Sequence, residues 1–389
     1  MERQTRKRKL VLLFPHQFAA FPRSCGPLLA LSGFLVFGAV VGAASPSTPF
    51  FPPVPQTVST VPGNGDQNPY GVAFAPLSVK GGYVLQPGDL LISNFNNGAN
   101  LQGLGHTIVV IRAGVQSLFF SAAPALTVGW SGALGILSNG IVVAGNTPTT
   151  DGTPAMLQPG SLFFVDPNGV LLYQLVNPST VNGPWGLAIA QKDDDRESVF
   201  VSNVLTGTII RLDLKLTKSP AGFSILNTYT IGTGFSHRTD PGAIALGPSG
   251  LAYSYEKDIL YIASSTDNAV YTIPDALETK SSHTGSLLFS DPTHLHGPVN
   301  MLLAPNGNLL VSNSDGSNVD PAQPSEIAEF TSTGTFVSQF SVDPNPGGSF
   351  GIGLLQVDGG FAFAAVDDNA ATATVWNTLD FTQHKNHDW

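Results

Sequence analysis

Charged side chains are scarce in this sequence, only 11% of its 389 residues. With 42% apolar residues the chain buries a sizeable core and is not a disordered polyelectrolyte. Six of the basic residues (Arg3, Arg6, Lys7, Arg8, Lys9 and Arg23) precede residue 45, where Glu2 is the one acid. The remaining body carries 11 basic against 26 acidic residues, a net charge of −15. Such a body repels phosphate backbones, so nucleic acid is not an expected partner. Cysteine is limited to Cys25, so no intrachain disulfide supports the fold. The preceding Pro22-Arg23-Ser24 lacks the small and apolar residues that lead into a lipidated cysteine. No segment sustains a 3.6-residue apolar period, which excludes a helical or α/β architecture. Gly-x-Ser-x-Gly elbows, phosphate-binding loops and dinucleotide fingerprints are absent as well.

Glycine (42) and proline (30) are plentiful instead, and they punctuate a phrase that returns along the chain. It reads NPYGVAFAP from Asn68, NGPWGLAIA from Asn182, DPGAIALGPSG from Asp240 and HGPVNMLLAPNG from His296. A small or polar residue marks each lead-in strand: Gly71, Gly132, Gly186, Ala243, Asn300 and Gly351. Four alternating runs follow in each unit, for example WGLAIA, SVFVSN, TIIRLDL and FSILNTYTI in the third. Pro305-Asn306-Gly307 and Ser138-Asn139-Gly140 supply the positive φ angles of tight hairpins between the first two runs. Four-stranded antiparallel units at this period are propeller blades, and the expected fold is an all-β, six-bladed β-propeller. The last unit shows three strands, so Gln56 to Val61 (QTVSTV) is expected to close the ring as its outer strand.

The first 44 residues carry a basic start, then an apolar run over 27–44, with Gly42 and Ala44 placed before a cleavage point at Ser45. This is the build of a secretory signal peptide. At 18 residues the run is also close to the roughly 20 that span a bilayer, so a retained membrane anchor is the competing reading. Either places the body outside the cytoplasm, with membrane contact only through this segment. Residues 45–55 read as a stiff Pro-rich linker, 56–378 as the propeller and 379–389 as a polar tail.

The lead-in strand, turn and "VSN" pattern over residues 56–378 resembles NHL-repeat propellers and their streptogramin lyase-like, gluconolactonase-like and peptide-amidating-lyase relatives. Their usual Asp-x-x-Asn-x-Arg-Ile stretch is degenerate here, running Ser202-Asn203-Val204-Leu205-Thr206-Gly207-Thr208-Ile209. The resemblance implies a ligand site where loops leading into first strands meet loops leaving second strands. The former contribute Asn68, Tyr70, Trp130, Trp185, Asp240, His294, His296 and Asn300. The latter contribute Asn94, Asn146, Asn203, Asn313, Asp315, Asp367 and Asp368.

Within this set Tyr70, Trp130, Trp185, Asn300, Asn313, Asp315 and Asp367 are the expected ligand-binding residues. The aromatics offer either a stacking wall or wedges between blades, and the Ser-Asn repeats also suit plain turn bonding. His294 and His296 are the catalytic candidates. Alternate residues on an extended segment point to one side, so both rings could reach one divalent cation with Asn300 and Asp315; the bland alternative is two solvated loop histidines. The zinc-binding histidines of the amidating lyases have no counterpart at Tyr70, Trp185, Gly242 and Val299, and no lead-in strand carries the Glu of gluconolactonase-like cation sites. Asp193-Asp194-Asp195-Arg196-Glu197 lacks the alternation and glycine of a calcium loop. So few charged, convergent groups point to a non-catalytic face that binds a protein, glycan or small molecule without a cofactor. The alternative is a metal-assisted lyase or lactone hydrolase.

Overall fold

A computed structural model describes residues 55–357 and 360–377. The expected signal or anchor segment (1–44), most of the linker and the polar tail (379–389) lie outside the described residues. Among the described residues no helix is long and apolar enough to cross a membrane.

Among the described residues twenty-four strands form six antiparallel four-stranded sheets, and a 3-10 turn lies at Pro154–Met156. From the axis outward, blade one is Gln67–Phe74, Leu90–Asn96, Thr107–Arg112 and Val115–Ser121. Blade five is Pro298–Leu303, Leu309–Asn313, Glu326–Phe330 and Phe336–Ser341. Blade six has Ser349–Val357, Gly360–Asp367 and Thr372–Asn377, and its outer strand is Pro55–Ser59 from the start of the ring. That strand runs antiparallel with Pro55 opposite Trp376 and Ser59 opposite Thr372. The side-chain hydroxyl of Thr60 then donates to the Ala371 carbonyl at 2.9 Å, fastening the join.

Each inner strand packs on the next, and the sixth packs on the first. Around so narrow an axis backbones nearly touch. A Cβ on Gly186 would land on the Ser249 carbonyl, and one on Gly250 would land on the backbone of Asn300. Between neighbouring sheets lie separate apolar cores, such as the layer of Leu91, Val110, Phe120, Trp130, Val142 and Phe163 between blades one and two. Full burial of each such side chain contributes roughly 1.5–3 kcal/mol.

The repeated Ser-Asn at the end of second strands is part of this scaffold. Ser202 accepts the Gly186 N–H at 2.8 Å and donates to the Ser249 carbonyl of the following blade at 2.6 Å. Ser93 does the same between Gly71 and Ser131. The Asn ties down the loop that leads into its own blade. Asn203 accepts the Asn182 N–H and donates to the Thr180 carbonyl, and Asn146 does likewise with Gly129 and Thr127.

Blade four departs from the expected phase. Its inner strand is Pro248–Ser254, and Gly250 rather than Ala243 occupies the crowded ring position. The DPGAIAL phrase belongs instead to a separate two-stranded hairpin, Arg238–Asp240 with Ile244–Leu246. Asp240 causes this: its carboxylate accepts the N–H groups of Gly242 and Ala243 and turns the chain back early. Ile244 is held there at φ 60°, a left-handed conformation that a β-branched side chain rarely adopts.

Candidate functional site

The hairpin, the lead-in loops and the second-strand exits meet at one mouth of the central channel around a pocket of about 430 Å³. Its floor is an aromatic plug. Tyr70 lies between Phe95 and Phe350, with ring centroids at 4.7 and 4.3 Å, and Trp185 meets it edge-on at 6.0 Å. Both faces of Tyr70 are therefore covered, so Tyr70 offers no open face for stacking a ligand. Trp130 is not at the mouth. It is fully buried between blades one and two, edge-on to Phe120 and Phe163.

The polar side chains of the pocket include Asn68, Gln102, Ser265 and Ser314, and its carboxyl groups are Asp315 and Asp368. No Lys, Arg or His is among the described residues that line it. Asn68 adopts φ 63°, which asparagine tolerates, and its Oδ1 is buried without a hydrogen-bond partner. Burial, reinforced by the neighbouring charge of Asp367, pushes the Asp368 carboxyl up to about 7. The Tyr70 hydroxyl is raised well above its ordinary value, by burial first and then by the charge of Asp368. Asp367 is also raised by burial, but one of its oxygens accepts the Ala370 N–H and holds the turn.

Behind one wall, blade five assembles a buried cluster. Asn313 fixes the incoming loop, accepting the His296 N–H at 3.1 Å and donating to the His294 carbonyl at 2.8 Å. The Asp315 N–H then donates to the His296 carbonyl at 2.8 Å. Asp315 Oδ2 accepts the N–H groups of Ser325 and Gly347, both at 2.9 Å, while Oδ1 is buried and unpartnered. Glu326, first residue of the third strand, lies with Oε2 at 3.4 Å from His296 Nδ1, and its Oε1 is also buried and unpartnered. One ligating atom from each of His296, Asp315 and Glu326 lies within 4.8 Å of the others. The hydrogen bond that His296 donates to Glu326 raises the imidazole against the opposing effect of burial, and burial raises the Asp315 carboxyl. Two free carboxylate oxygens beside an imidazole, all out of water, fit a divalent cation.

His294 does not join this cluster. Its ring stacks on Phe336 at 3.7 Å and its Nδ1 bonds Asp291 at 2.8 Å. The same-side rule needs extended backbone, whereas here the N–H groups of His294 and Leu295 both bond the Asp291 carbonyl in a turn. Asn300 sits on the inner strand, where its Oδ1 accepts the Met301 N–H. Asn313 uses its amide on the loop backbone. Glu326 was missed, although two acids in the fully buried EIAEF strand, Glu326 and Glu329, mark buried carboxylates.

These positions correct the expectation of a non-catalytic binding face. That expectation rested on a lack of convergent charged groups, and the ring brings together three at blade five and a carboxyl near neutrality in the adjoining pocket. Sequence separation hid the convergence, since Asp368 and Asp315 reach one pocket from different blades.

No protein-family profile and no curated protein sequence matches the chain. Solved structures resemble it in fold. The major allergen Mala s 1 of Malassezia sympodialis superposes with a TM-score of 0.53 at 13% identity, over 86% of this chain and 100% of the allergen. A gluconolactonase from Xanthomonas campestris gives 0.48 at 13% identity, over 86% and 98%. The calcium-binding protein regucalcin from Agrobacterium tumefaciens gives 0.46 at 13% identity, over 82% and 93%. The likeness to the allergen is one of overall fold, an all-β ring of six four-stranded blades.

Proposed function

We propose that this propeller is a hydrolase or lyase acting on an uncharged lactone or ester in the mouth pocket. The observation that carries the reading is Asp368, a buried carboxyl pushed up to about 7 in the wall of a 430 Å³ cavity. A group titrating there is half ionised near neutrality, the condition under which one carboxyl both takes and returns a proton efficiently. In hydrolysis Asp368 accepts a proton from water as its oxygen bonds the acyl carbon. The acyl–oxygen bond then breaks, and the same proton passes to the departing alkoxide. In elimination the carboxylate would instead take a carbon-bound proton next to the carbonyl, and the leaving oxygen departs with formation of a double bond.

The lining supports an uncharged substrate, because no basic side chain is present to match an anion. Asn68 Oδ1, buried and unpartnered, is suited to accept a substrate hydroxyl. A divalent cation, when bound, would polarise the substrate carbonyl. Asp315 is a pocket-lining residue with a free buried carboxylate oxygen for it.

The purified chain assayed against a panel of aliphatic and sugar lactones, aryl esters and uncharged methyl-esterified uronate elimination substrates tests this. Turnover of at least one, lost by 10²-fold or more in Asp368→Asn, is expected. Products carrying added water identify hydrolysis, and unsaturated products identify elimination. Turnover that survives unchanged in Asp368→Asn would overturn the assignment.

A further inference from the structure

We infer that His296, Asp315 and Glu326 form a site for one divalent cation of the zinc or manganese class, built wholly within blade five. The three side chains are 2%, 7% and 2% exposed, and their ligating atoms already lie within 4.8 Å of one another. Closing on a common ion at ~2.0–2.2 Å needs only small side-chain shifts.

Two features separate this set from a chance group of acids. Asp315 Oδ1 and Glu326 Oε1 are both buried without any hydrogen-bond partner, a costly state that a cation relieves. The other oxygen of Asp315 is held by two backbone N–H groups from separate segments, Ser325 and Gly347, which fixes the carboxylate as outer-sphere bonds do in metal sites. The backbone around it is equally determined, since Asn313 pins the loop that carries His296.

The donor set selects the ion. Two carboxylates balance a 2+ charge, and an imidazole nitrogen suits zinc, manganese or iron, whereas calcium takes six to eight oxygens. Asp315 also lines the mouth pocket, so the ion sits where the cavity meets blade five. Only this placement rests on the proposed reaction; binding of the ion does not.

Calorimetric titration of the chelator-treated full chain with Zn²⁺, Mn²⁺ and Ca²⁺, alongside elemental analysis of the untreated protein, tests the site. One equivalent of Zn²⁺ or Mn²⁺ is expected, at least 10-fold tighter than Ca²⁺. Glu326→Gln and His296→Gln should weaken it by 100-fold or more, while His294→Ala leaves it unchanged. Should a variant not fold, the parent still decides: Co²⁺ loading must give the visible absorption of a nitrogen-ligated ion, and Zn²⁺ must raise the melting temperature. No binding at millimolar ion, or binding indifferent to His296 and Glu326, overturns the site. Asp368-dependent turnover by a protein that binds no ion refutes this inference alone, and a bound ion without turnover on any substrate refutes only the proposed reaction.

Discussion

Asp368 illustrates how a single residue can carry a cost that only function explains. Its carboxyl is raised to about 7 by burial and by Asp367, against about 3.9 in an unfolded chain. Between those values the folded state keeps a proton that the unfolded state has released. The residue therefore destabilises the fold progressively as pH rises from about 4 to about 7, and fully above that. Asp368→Asn removes the penalty. The variant should be more stable than the parent at pH 8 by on the order of 2–4 kcal/mol and nearly equal to it at pH 4, as read from denaturant midpoints at the two values. Equal stability at pH 8 would show that the carboxyl is not strained by its setting. Asp368 was legible as a second-strand exit residue. Its special character was not, because the pocket that Asp368 lines is completed by Tyr70 of blade one and by the 238–246 hairpin, both remote from it in sequence.

Elements were the most legible level, and the reason is specific. Inner strands must carry glycine or another tolerated residue where neighbours crowd, so Gly71, Gly186 and Gly351 announce themselves at multiples of the blade period. The Ser-Asn repeat is conspicuous for an equally local reason, with one residue bridging blades and the next tying the incoming loop. Ser202→Ala leaves the Gly186 N–H without its side-chain partner and the Ser249 carbonyl unbridged. A loss of about 1–3 kcal/mol follows for these buried groups, measurable by urea unfolding. A change below a few tenths would mean that the bridge is dispensable. Blade four misled because Asp240-Pro241-Gly242 has the look of a lead-in while Asp240 folds it into a hairpin. The same turn conformation displaced His294 from His296, since a two-residue spacing says nothing about direction once the backbone leaves the extended region.

At the scale of the whole molecule, closure of the ring rests on Pro55–Ser59 covering the last three-stranded sheet. The missing strand of the sixth unit made this readable from the sequence. Deleting Gln56 to Val61 exposes the edge of Thr372–Asn377, unseats Val58 from the core between blades six and one, and removes the Thr60 tie. A fall in melting temperature on the order of 10 °C is expected by calorimetry, and a deletion variant that melts like the parent would show that the ring closes otherwise. Closure also creates the site. Blade six supplies Asp368, blade one Asn68 and blade five Asp315, so the pocket exists only in the complete ring.

The most direct test of the account is the pH–rate profile of the purified protein and Asp368→Asn on the best lactone or ester from the panel. For general-base hydrolysis the parent's rate should rise through an inflection near pH 7 and level off above it, and the variant should be at least 10²-fold slower without that inflection. A variant that keeps the parent's rate and profile would contradict the placement of the chemistry in the channel mouth.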